Sequence, residues 1–185
     1  MNKFAFLYPD EEIFKAQVEF GAKKGDIEEY SKRYKQILNA CIDQRYRKKG
    51  FAIHYVVFSD RTVSGMIDTK INDIMLDAGM TFEEHIPNGK KADYASIFPK
   101  IIPVDKLVLG GFYVGDCVEE FAKKAHGLGI DTLIDEDLTD LLPLAIKRGI
   151  KTDSYPNFDP RTFKGAGAYE HFIKSGKDKP WLYQY

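Results

Sequence analysis

The chain has 185 residues, which fits one domain better than two, and its 44% hydrophobic and 30% charged residues match an ordinary globular protein rather than a disordered chain or a small disulfide scaffold. Lys and Arg number 27 against 28 Asp and Glu, for a net charge of −1, so no basic excess exists to neutralise the phosphates of a nucleic acid. Aromatic residues reach 14%, with 11 Tyr and 13 Phe, which points to a dense core, an aromatic pocket or a buried subunit contact.

The first apolar run, Phe4 to Tyr8, reads as a buried strand stopped by Pro9 and Asp10. It is far too short for a signal peptide, and no run approaches the roughly 20 apolar residues needed to span a bilayer. A helix is expected over residues 26–49. Ile27, Tyr30, Tyr34, Ile37, Leu38, Cys41 and Ile42 make one apolar face, Asp26 and Glu29 suit its start, and Gly50 suits its stop. Arg45, Arg47, Lys48 and Lys49 suit the negative end of its dipole. Residues 51–58 form a β-branched and aromatic strand ended by Ser59 and Asp60. A short helix is expected over 70–76, and a strand over 106–109 before Gly110 and Gly111. A helix over 117–127 follows, with Asp116 as cap and Glu119 as its box partner. A short strand over 132–134, a helix over 138–148 ended by Gly149, and an edge strand begun at Ile150 complete the order.

This alternation predicts a three-layer αβα fold with a mostly parallel central sheet, as one domain over 1–185 with an irregular tail over 153–185. Ligands of such folds bind outside the carboxyl ends of the strands. The positions to inspect are therefore Pro9 and Asp10, Ser59 and Asp60, residues 110–117, and residues 135–137. The acidic group Asp135, Glu136, Asp137 and Asp140 reads as a loop and helix cap in preference to a cation site. Cys41 lies on an apolar helix face and reads as packing. Cys117 has two readings. It is a small residue under a helix, or a thiol whose anion the helix start stabilises once a cation offsets Asp116, Glu119 and Glu120. The two cysteines are neither a disulfide framework nor a zinc set, and a cytoplasmic protein is expected. The tail end, with Trp181, Tyr183 and Tyr185, is expected to dock on its own domain or against another subunit.

The stretch LVLGGFYVGDCVEEFAKKAHGLG, residues 107–129, continued to Asp137, resembles the isochorismatase-like cysteine hydrolase family. That family pairs an apolar strand ending in Gly with a nucleophilic Cys six residues on, followed by Val, two small helix residues, a Gly and an Asp. Gly111, Cys117, Val118, Ala122, Ala125, Gly129 and Asp137 stand at those places. Asp10, in LYPDEEIF (7–14), stands where the family has its first-strand Asp. Lys91, with Lys90 as alternate, stands before Tyr94 and Phe98 where the family has its Lys. The resemblance implies a Rossmann-like isochorismatase-type topology and hydrolysis of a small amide or related C–N or C–O substrate. It implies a triad of Asp10 as base, Lys91 as thiolate partner and Cys117 as nucleophile. It also implies an oxyanion site in the Phe112, Tyr113 and Asp116 loop with a cis Phe112–Tyr113 bond, and a pocket beside Tyr8 and Phe14. Oligomers are frequent in the family, so a homo-oligomer is an expectation.

The departures also carry information. Residues 59–63 lack the Asp-x-His metal motif of the family's nicotinamidases, so no metal or other cofactor is expected. His54 reads as packed within its strand. Glu11 replaces a usual Gln, Val114-Gly115-Asp116 replaces a usual Thr-Asp, and the segment between Phe14 and Asp26 looks inserted. Two rivals stand beside the hydrolase: an inactive or binding-only descendant, and a nucleotide- or phosphate-binding domain using the Gly110-Gly111 loop. No P-loop or GxGxxG spacing supports the latter.

Overall fold

In the computed structural model, which describes residues 1–22, 25–154 and 179–181, the first apolar run is strand β1, Asn2–Leu7. Its Phe4, Ala5, Phe6 and Leu7 are wholly buried, the mark of a central strand covered on both faces. β1 pairs in parallel with β2, Ala52–Val57, and with β4, Lys106–Gly111. β3, Ile74–Asp77, lies outside β2, and β5, Asp131–Thr139, outside β4. The order is β3-β2-β1-β4-β5, with every neighbour parallel.

Parallel neighbours need crossovers, and helices supply most of them. They are α1 (Glu11–Ala22), α2 (Ile27–Cys41), α3 (Phe82–His85), α4 (Tyr94–Ile101), α5 (Cys117–Gly127) and α6 (Leu142–Arg148). α1, α2 and α6 pack on one another. α4 and α5 meet through Tyr94, Phe98 and Phe121. The three-layer α/β fold with a parallel sheet is therefore present. No helix of the described residues is long and apolar enough to cross a membrane.

Gly111 shows why a glycine ends β4. Its φ is +107°, and a Cβ there would lie 2.2 Å from the Leu7 carbonyl oxygen. No other residue fits that approach, and the chain turns there toward Cys117.

Several elements differ from expectation. Residues 70–76 are not a helix; Ile74 begins β3. α2 ends at Cys41, a π turn over Ile42–Tyr46 and a 3₁₀ turn over Arg47–Lys49 follow, and Gly50 then takes the left-handed conformation. The segment after Phe14 completes α1. Ile150 begins no strand among the described residues. The tail expected over 153–185 lies outside the described residues except for 153, 154 and 179–181.

The largest correction concerns the acidic group. Asp135, Glu136 and Asp137 are not a loop or a helix cap. They lie in β5 and are buried, where the register slips from Leu109 opposite Ile134 to Gly111 opposite Thr139. α6 begins only at Leu142. Arg45, expected to serve the helix dipole, is 1% exposed and is their partner. Its Nη1 donates to both oxygens of Asp135 at 3.0 Å, and its Nη2 donates to Asp137 at 3.0 Å. Tyr46 also donates to Asp135, and Arg148 to Asp137. Removing one partner of such a network typically costs about 3–5 kcal/mol, because the remaining charges stay buried.

Candidate functional site

β4 delivers the chain to a loop whose Phe112–Tyr113 bond is cis, the bond named by the resemblance. Cys117 then opens α5. Its thiol is fully buried. Asp116 holds the N-cap position, yet its side chain makes no cap bond, which corrects the expected capping box with Glu119. The Asp116 carboxylate turns instead to the Lys91 ammonium and, at 3.7 Å, to the Cys117 sulfur.

Lys91 is the lysine at the sulfur. Its Nζ lies 3.7 Å from Sγ and 3.8 Å from Glu120, whereas Lys90 pairs with Glu84 at 2.8 Å. Burial works against the Lys91 charge, but Asp116, Cys117 and Glu120 outweigh it and raise its pKa. Burial is also the main reason that the Cys117 thiol is pushed up to about 11. Asp116 adds to that rise and Lys91 opposes it. The resting group is therefore a thiol, and attack by its sulfur needs a proton acceptor.

Asp10 is buried at the start of α1. Its Oδ1 accepts from the Glu12 N–H at 2.8 Å and the Ile13 N–H at 3.4 Å, while Arg61 Nε stands 4.0 Å from Oδ2. Among the described residues it has no hydrogen bond to Cys117 or Lys91. Lys91, Asp116 and Cys117 thus share one cluster, while Oδ1 of Asp10 is engaged by amides of its own turn.

His85 completes the cluster, and the sequence reading missed it. Its Nε2 lies 3.5 Å from the Cys117 sulfur, and its Nδ1 lies 2.6 Å from the Lys90 carbonyl oxygen. The ring packs against Tyr8 and Phe58, at centroid distances of 5.0 and 5.6 Å. The available signal was local. Thr81 and Glu84 form a complete capping box that starts α3, and this short helix ends at His85, shortly before Lys91.

Tyr8 has a φ of +57°, the left-handed conformation that non-glycine residues rarely adopt. Its buried hydroxyl has no hydrogen-bond partner among the described residues. Burial raises its pKa, and the charges acting on it in the same direction are those of Cys117, Tyr94, Glu120 and Asp116. The Tyr8 ring packs on His85, whose Nε2 reaches the sulfur. Phe14, by contrast, is a core ring packed on Phe6, Tyr34 and Phe112. Phe112 is buried, and Tyr113 is 37% exposed. His54 is packed in β2 with Nδ1 3.3 Å from the Ala52 carbonyl.

The backbone at the loop leaves several donors spare among the described residues. Val118 and Asp116 donate their N–H groups to the Tyr113 carbonyl, and Val114 donates to Asp140. The Cys117 N–H has no acceptor among the described residues, as first-turn helix amides commonly do not. An apolar groove of about 480 Å³ between α4 and α5 is lined by Tyr94, Phe98, Pro99 and Leu128, and it does not include Cys117.

No family model and no curated protein matches the chain. Among solved structures, the chain is similar to the crystal structure of N-carbamoylsarcosine amidase from Thermoplasma acidophilum, with a TM-score of 0.50 and 16% identity over 85% of this chain and 100% of the other. At that identity the likeness establishes a shared α/β fold.

Proposed function

We propose that the protein is a cysteine hydrolase that acts on a small amide or a related C–N or C–O substrate without a metal. The observation that carries this reading is the Lys91 ammonium 3.7 Å from the Cys117 sulfur, at the carboxyl end of β4. Cys117 is the nucleophile. Its sulfur attacks the carbonyl carbon, the C–N bond breaks, and water opens the resulting thioester. Lys91 holds the charge of the thiolate. The Cys117 N–H is a preorganised donor for the oxyanion. Asp10 is the carboxylate of the triad in this reading, and Tyr8 lines the substrate site. The protein is read as cytoplasmic, consistent with two unpaired buried cysteines.

A non-catalytic descendant is the competing reading, and the full burial of the sulfur favours it. The test is ammonia release from a panel of primary amides and N-carbamoyl amino acids, the latter chosen for the activity named for the structural neighbour. Turnover that disappears in Cys117→Ala is the expected outcome. No release from any member, or release that persists in that variant, overturns the hydrolase reading.

A further inference from the structure

We propose that His85 is the catalytic proton acceptor of Cys117, so that the working pair is a cysteine–histidine dyad set by the loop between β3 and α4. The proposal rests on the hydrolase reading for its role in turnover. The proton transfer itself stands on geometry.

A carbonyl oxygen only accepts. The Lys90 carbonyl, 2.6 Å from Nδ1, therefore fixes the ring proton on Nδ1. In the neutral ring this leaves Nε2 with a free lone pair, directed at the Cys117 sulfur 3.5 Å away. The thiol can then donate to Nε2. After transfer, the imidazolium donates from both nitrogens, to the carbonyl and to the thiolate. The same contacts serve both states, and only the proton moves.

The position is supported on every side. α3 is held by its Thr81–Glu84 capping box, and the His85 carbonyl accepts from the Gly89 N–H. Tyr8 and Phe58 flank the ring. His85 is 7% exposed. The charged and titratable groups around the pair are Tyr8 just past β1, Lys91 from the loop, Tyr94 from α4, and Tyr113 and Asp116 from the loop before α5, with Glu120 of α5 3.8 Å from the Lys91 ammonium.

Two carboxylates compete for the role. The thiol also lies within reach of Asp116 Oδ2 as a donor, at 3.7 Å, but the Lys91 ammonium donates to Oδ1 of that carboxylate and weakens it as a base. Asp10 accepts from two amides of α1 and has no bond to the thiol among the described residues. An imidazole is also the better acceptor near neutral pH.

The steps balance. The thiol proton passes from Sγ to Nε2 as the S–C bond forms, and the oxyanion collapses as the C–N bond breaks. The imidazolium returns that proton to the departing amine. In the second half, water gives a proton to Nε2 while its oxygen bonds to the thioester carbon. The sulfur leaves and recovers the proton.

The test is site-resolved alkylation of the native protein by iodoacetamide, followed by peptide mass spectrometry to separate Cys117 from Cys41. His85→Gln is expected to slow Cys117 alkylation at pH 7 by about tenfold or more. The loss is expected to close as the pH approaches the thiol's own value, about 11, because ionisation then needs no acceptor. Asp10→Asn and Asp116→Asn report whether a carboxylate takes the proton instead. An unchanged rate in His85→Gln, or the loss appearing instead in either Asn variant, overturns the assignment. The ¹⁵N spectrum of the unsubstituted protein provides a second reading that needs no variant. A neutral His85 ring with its proton on Nδ1 supports the dyad, and one protonated on Nε2 overturns it. Alkylation that depends on His85 without turnover of any amide would remove the hydrolase reading and leave the dyad in place.

Discussion

Two charges of opposite sign act on one sulfur, so their removal should move its reactivity in opposite directions. Lys91 lowers the pKa of the Cys117 thiol, and Asp116 raises it. Lys91→Met should raise that pKa further and slow alkylation at a fixed pH of about 9, by roughly tenfold for each unit gained. Asp116→Asn should speed it. Matching rates in both variants would show that neither side chain reaches the sulfur electrostatically. Cys117 and Asp116 were legible in the sequence because the strand, glycine and helix start stand at fixed offsets around them, whereas Lys91 came from the resemblance alone, by its place before Tyr94 and Phe98. His85 was not, since its approach to the sulfur depends on how the loop after β3 folds back. Asp10 lies just past β1, where the strand pattern put it, and Oδ1 of its carboxylate accepts from two α1 amides.

Within β5, the Glu136 carboxyl is buried, and neither oxygen has a hydrogen-bond partner among the described residues. Burial raises its pKa well above the usual 4.5, and Asp135 and Asp137 push the same way. The folded state therefore holds a proton that the unfolded chain releases above about pH 4.5. Stability from this group is full below that pH and declines as pH rises toward the folded value. Glu136→Gln should flatten the fall in thermal midpoint between about pH 5 and pH 8 and raise the midpoint at the upper end. Parallel curves for the two proteins would show that the carboxyl is ionised or solvated. Strands β1, β2 and β4 and helices α2 and α5 could be read from periodicity, because their burial is one-sided or continuous. β5 could not be read to its end, since three acids in a row look solvated until Arg45, far away in the chain, is brought against them. β3 was misread because Ile71, Ile74, Met75 and Leu76 fit a helical spacing as well as a short edge strand.

At the scale of the molecule, the sheet ends in β5, and the far end of the chain reaches it. The Ile134 N–H donates to the Trp181 carbonyl at 2.7 Å, and the Trp181 ring, 7% exposed, lies beside His126. Lys179 pairs with Glu119 of α5 at 2.5 Å. Of the two dockings expected for the tail, the described part of it takes the one on its own domain. Trp181→Ala should lower unfolding stability by about 3 kcal/mol, followed by circular dichroism in urea. An unchanged midpoint would show that this contact contributes nothing. The layered α/β architecture was legible from the alternation of strands and helices alone, while the sheet's outer edges depended on contacts between distant segments.

The segment joining β3 to α4 carries both His85 and Lys91, and its own capping box and the Lys90 carbonyl hold it in shape. In the proposed dyad, acid–base character and counter-charge at the sulfur are thereby encoded together, apart from the strand and helix that present it. A transplant of this one excursion into a relative with the same sheet would carry the proton-handling apparatus as a cassette. The cysteine would remain behind as a common socket.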